Sequence, residues 1–137
     1  MLFNPNVLAT VNLLIQALLL GSVLVTAYIA KRQRQLIRHC RIIRVAVILQ
    51  LLAIVLIMLP SLLGYLKSPG LDLRNEMVLH HSIGLLLILL WVYINLAVMG
   101  RVRVLGGLKW YMRTAASIWL FLFLLGLHLY LRIYVLA

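Results

Sequence analysis

Four long apolar stretches, separated by short polar breaks, constrain this 137-residue chain more than any other feature. Hydropathy places them at about 7–30, 42–66, 77–99 and 115–136. A helix needs about 20 apolar residues to cross a bilayer, so each stretch is long enough to span. In hydrocarbon every backbone N–H and C=O must be paired within the protein, which leaves helices as the economical way to cross. The expected fold is therefore all-α: an integral membrane four-helix transmembrane bundle, with residues 1–137 forming one membrane domain.

Composition closes off the alternatives. Apolar residues make up 66% of the chain and charged residues only 11%. A soluble domain carries about 25% charged residues, so this chain lacks the polar surface to cover itself. It has 13 Lys or Arg but only 2 acids, Asp72 and Glu76. Paired-carboxylate hydrolysis or a carboxylate relay through the membrane has almost nothing to be built from. Cys40 is the one cysteine, which excludes an intrachain disulfide and Cys-x-x-Cys signatures.

The positive charge is concentrated. The first break holds Lys31, Arg32, Arg34, Arg38, Arg41 and Arg44, and the third holds Arg101, Arg103, Lys109 and Arg113. By the positive-inside rule both breaks face the cytoplasm, and both termini face outward across the plasma membrane. This explains the basic residues as topology and contact with anionic lipid, not as nucleic-acid binding. At an offset of 69 residues, Arg32, Arg34 and Arg44 align with Arg101, Arg103 and Arg113, as in two helical hairpins. Leu36, Ile37, Cys40 and Ile43 recur at helical spacing in the first break. That suits a segment lying on the leaflet, or an extension of a neighbouring helix.

Polar residues within the spans are the informative ones, because burying them costs free energy unless they find partners. Asn12, Gln16 and Thr26 share one stripe, Gln50 and Ser61 another, His81 and Asn95 a third, and Ser117 and His128 a fourth. Interhelical adhesion is the expected role of the amides. Pro60 is expected to kink the second span.

The histidines carry the sharper expectation. His81 and His128 fall about 5 and 12 Å below the outer boundary at 1.5 Å per residue, close enough for tilt to bring them level. Two imidazoles on facing helices are what a b-type haem needs for axial ligation. Arg132, one turn beyond His128, would meet a propionate, with Lys67 and Arg74 in reserve. Gly84 and Gly126 would let a flat macrocycle approach the backbone. An alternative metal site would use His80 and Glu76, with His81 and, as an optional fourth ligand, Asp72. A Glu76–His80 pair at i,i+4 is the structural reading of His80. His39 reads as a solvated or lipid-facing loop residue. The deeper aromatics, Trp91 and Trp119 among them, read as packing.

The order of features resembles the CtaM/YozB-like family of small four-helix bacterial membrane proteins. The matching residues are His39 with Arg41 opening span two, His81-Ser82 opening span three, and Arg113 through Ser117-Ile118-Trp119 entering span four. The family departs from this chain at Gly64-Tyr65 and Lys109-Trp110, where it carries histidines, and His128 is additional here. A looser likeness is to b-type cytochromes. The resemblance implies a part in maturing haem-copper oxidases.

Residues and resemblance together give a haem b protein for electron transfer or for haem handling in respiratory complex assembly. Nothing in the sequence looks like a substrate-transforming site. Its partners would be the bilayer and a respiratory complex or redox partner. The rival reading is a cofactor-free accessory or assembly subunit of a larger membrane complex. A transporter or channel built as a homo-oligomer is disfavoured by the missing buried acids.

Overall fold

The computed structural model describes residues 5–33, 36–66 and 73–136. Their regular structure is helical: α1 (Pro5–Gln33), α2 (Leu36–Ala53), a π-helical turn (Ile54–Met58), α3 (Leu59–Leu66), α4 (Arg74–Val98), α5 (Leu108–Tyr130) and a second π-helical turn (Leu131–Val135). The all-α, multi-pass membrane class expected from the sequence is what the structure has. Val7–Gln33, Ile37–Gly64, Arg74–Val98 and Leu108–Val135 are each long and apolar enough to cross.

The helices run further than hydropathy suggested. A span of 27 residues rises roughly 40 Å, so its ends reach beyond a hydrocarbon core of about 30 Å. Lys and Arg tolerate this because their stems lie along apolar surface while their heads reach water. The basic first break is thus mostly helix: α1 continues to Gln33 and α2 begins at Leu36, so the amphipathic stretch extends a span. Arg34 lies outside the described residues, as do Lys67 and Asp72.

Two compact units divide the chain at Leu71 and Asp72, each a helical hairpin. In the first, Leu19, Leu20, Val23 and Ala30 of α1 are buried, as are Ala46, Val47, Gln50 and Ala53 of α2. Small residues such as these alanines let two backbones approach where lipid supplies no hydrophobic drive. The large apolar side chains left exposed, Leu14, Leu18, Leu52 and Leu56 among them, suit contact with lipid.

Pro60 shapes the second span through its missing N–H. It cannot donate to Leu56, and its ring would crowd that carbonyl. The helix widens just before it. Leu59 N–H reaches back five residues to the carbonyl of Ile54, and the Ser61 hydroxyl donates to Ile57 O at 2.8 Å. The expected kink is therefore a π-helical turn.

The second unit pairs α4 with α5. His80, Leu87, Trp91 and Ile94 are buried on α4, facing Ala115, Trp119, Leu122 and Leu129 on α5. These steps of three, four and seven residues define one seam along each helix. Trp91 and Trp119 meet edge to face at its centre, 4.8 Å between ring centroids, as the packing reading of the deep aromatics expected.

Candidate functional site

The histidine that enters the α4–α5 seam is His80. It is only 9% exposed, and its ring lies against Gly126 of α5. A Cβ on that glycine would stand 3.2 Å from His80 Cε1. The buried Nδ1 of His80 has no hydrogen-bond partner among the described residues. Gly126 therefore admits an imidazole from the facing helix, and the two helices are in direct contact there.

Glu76 lies one turn from His80, at the flank of the seam. Its Oε1 accepts a hydrogen bond from Arg132 Nη1 at 3.2 Å, and its Oε2 lies 3.6 Å from His128 Nε2. The expected Glu76–His80 pair is replaced by a bridge to α5. The reason is the antiparallel packing: residues on the same flank of two such helices face each other, and Glu76, His128 and Arg132 share that flank. Arg132, expected near a propionate, is occupied by this carboxylate.

His81 occupies the other flank of α4, about 100° around the helix from His80. It is half-buried and meets the His80 ring edge-on, centroids 5.4 Å apart. Its Nδ1 lies 2.8 Å from the carbonyl of Met77. A carbonyl only accepts, so Nδ1 is the donor, and in the neutral ring Nε2 keeps its lone pair. Gly84, one turn further, is open: a Cβ there would meet nothing within 4 Å. Arg74, seven residues before His81 and hence on nearly the same face, is exposed.

The hairpin thus does not bring His81 and His128 together. Their side chains have separate partners: His81 meets the Met77 carbonyl of its own helix, and His128 stands by Glu76. Of the residues suggested for haem, His81 and Gly84 share a neighbourhood with Arg74. His128 and Arg132 share one with Glu76. No group of three or more His, Cys, Asp or Glu able to hold a metal ion occurs among the described residues.

In the first unit, sequence reasoning missed a contact. His39 is a half-buried helical residue, not a loop one, with Nδ1 3.3 Å from Thr26 Oγ1 of α1. Thr26 Oγ1 also lies 2.8 Å from Ser22 O, so the hydroxyl joins the His39 ring to the α1 backbone. Among the described residues the amides expected to bind the helices together do not bond each other: Asn12 Oδ1, Gln16 Nε2 and Gln50 Oε1 are buried without partners there. The helical spacing of Thr26 and His39 on their two spans is the signal that would have found the pair.

Comparison of the chain with protein-family models, curated proteins and solved structures gave no match.

Proposed function

We propose that this multi-pass membrane protein handles haem b during the assembly of a respiratory complex, holding the iron through His81 on α4. One observation carries the reading: the Nδ1 of His81 is tied to Met77 O at 2.8 Å, so in the neutral ring the lone pair is on Nε2. Ligating histidines are set in this way, by a hydrogen bond at the other ring nitrogen. Gly84 supplies a bare stretch of helix beside it, suited to a flat macrocycle.

Arg74 lies about 10 Å further toward the helix end at 1.5 Å per residue, placed to pair with a propionate. Bound haem supplies an iron centre and two carboxylates. The chain supplies the imidazole, the apolar face and the guanidinium. Since His128 stands on the other flank, α4–α5 offers one strong axial ligand on the His81 face, not two. A single protein ligand suits hand-over of haem better than permanent electron transfer between two histidines. The likeness to oxidase assembly proteins points the same way. We place the basic turns on the cytoplasmic side, which puts His81 near the outer face of the plasma membrane.

The test is absorption spectroscopy of the purified full-length chain after haem supplementation. Native protein should show a Soret band. His81→Ala should lose it, and His128→Ala and Arg132→Ala should keep it. A Soret band that survives His81→Ala, or none in native protein, rejects the reading.

A second reading has its own support. Arg132 donates to Glu76 at 3.2 Å and the His80 ring lies against Gly126, so both groups are engaged within the hairpin, as a cofactor-free accessory subunit of a larger complex would have it. Native protein that stays colourless yet co-purifies with a membrane complex would establish that alternative.

A further inference from the structure

The connection between α4 and α5 carries charges that the haem reading does not use. It begins with a helix stop in which Gly100, at φ +71°, lets its own N–H reach Ala97 O and lets Arg101 N–H reach Leu96 O, both at 3.0 Å. Two tyrosines then fasten the backbone of the turn. Tyr111 of α5 donates to Leu105 O at 2.8 Å, and the Tyr93 hydroxyl of α4 reaches within 3.5 Å of Arg103 O, a long contact. Their rings lie 5.3 Å apart, so the two fasteners brace each other.

Around this fixed turn Arg101, Arg103, Lys109 and Arg113 are all exposed. No carboxylate answers them. Among the described residues of this unit the acid is Glu76, at the far end of α4 and roughly 33 Å away by helical rise, and it is already bonded to Arg132. Beside the cations stand Leu105, 83% exposed, and Trp110, 68% exposed. Trp prefers the headgroup level, with its ring toward the acyl chains and its N–H toward water.

We infer that the Arg101–Arg113 turn is a docking site for anionic phospholipid, binding the phosphate group of a lipid whose acyl chains lie against Leu105 and Trp110. Charge complementarity identifies the occupant: four cations without an acid, set at a membrane boundary with two apolar side chains. Topology alone needs only the charges. It does not need a backbone fastened by two tyrosine hydroxyls, and that fastening marks a shaped site. The inference is independent of haem binding at His81.

The experiment uses the full chain in phosphatidylcholine vesicles, titrated with lipid brominated on its acyl chains, and follows quenching of tryptophan emission. Brominated phosphatidylglycerol should quench at a several-fold lower mole fraction than brominated phosphatidylcholine, and Trp110→Phe should lose this selective component. Arg101→Gln and Arg103→Gln should each shift the curve about fivefold, the effect of about one cation near an anionic surface. Tyr93→Phe with Tyr111→Phe keeps every charge and both rings, and should also lose selectivity. Identical curves for the two lipids, or a double tyrosine variant that behaves as native, would overturn the inference.

Discussion

At the scale of single residues, the contact between His80 and Gly126 sets the closeness of α4 and α5. Alanine at 126 brings a Cβ to 3.2 Å from the imidazole. The ring must then give by a few tenths of an ångström, while the helix gains about 0.5–1 kcal/mol from losing a glycine. These effects nearly cancel, so Gly126→Ala should leave thermal stability in detergent within about 1 kcal/mol of native. Gly126→Val adds two more carbons on the same line and should cost about 1–3 kcal/mol. A valine variant as stable as native would mean that the seam opens freely at this point. The sequence misjudged which histidine faces inward because it used Asn95 as the guide. Asn95 donates its side-chain amide to Trp91 O at 2.9 Å on its own helix. It therefore needs no partner across the seam, and the burial pattern follows the stripe of His80, Leu87, Trp91 and Ile94 instead. Polar side chains that bond their own backbone carry little information about facing.

The helices themselves were largely legible, their ends were not. Four apolar runs are enough to give four spans, because lipid permits little else. The ends moved outward because Arg38 and Arg41 lie on α2 and Arg74 on α4, and a charged residue stops a hydropathy window without stopping a helix. Pro60 and Gly100 are two positions where local geometry depends on one residue. Gly100 is the more testable. Its φ of +71° belongs to the left-handed region, which costs an L-residue with a side chain about 1–2 kcal/mol. Gly100→Ala should destabilise the second hairpin by that amount in a thermal melt. It should also loosen the turn that Tyr93 and Tyr111 fasten. An unchanged melt would show that the helix stop is held by the tyrosines and not by the glycine. The site was legible only in part for a related reason: periodicity places residues on a helix face, but which face meets which neighbour is decided by the packing of the pair. Spacing alone grouped His81, His128 and Arg132, whereas the packing sets His128 and Arg132 beside Glu76 and His81 beside the His80 ring.

For the whole molecule the deciding quantity is the distribution of charge along the chain. Each hairpin carries its cations at the turn: Lys31, Arg32, Arg38, Arg41 and Arg44 around the first, Arg101, Arg103, Lys109 and Arg113 around the second. The connection between the hairpins has Lys67 and Arg74 beside Asp72 and Glu76, so its net charge is near zero. Orientation follows Lys and Arg in short loops near the spans, and here both hairpins give the same answer. The turns should face the cytoplasm and the connection should face outward. Because Cys40 is the one native thiol, a Cys40→Ser background allows single cysteines to report sidedness. In intact cells, Ser68→Cys should react at once with a membrane-impermeant maleimide. Val102→Cys, in the exposed α4–α5 turn, should react only after the membrane is permeabilised. The reverse pattern would turn the molecule over. It would move His81 to the cytoplasmic face and the basic turns to the outer one, and it would separate the anionic-lipid site from the leaflet whose inner surface carries the negative potential. Orientation thus links both proposed sites: the labelling pattern that puts His81 outward also puts the Arg101–Arg113 turn inward.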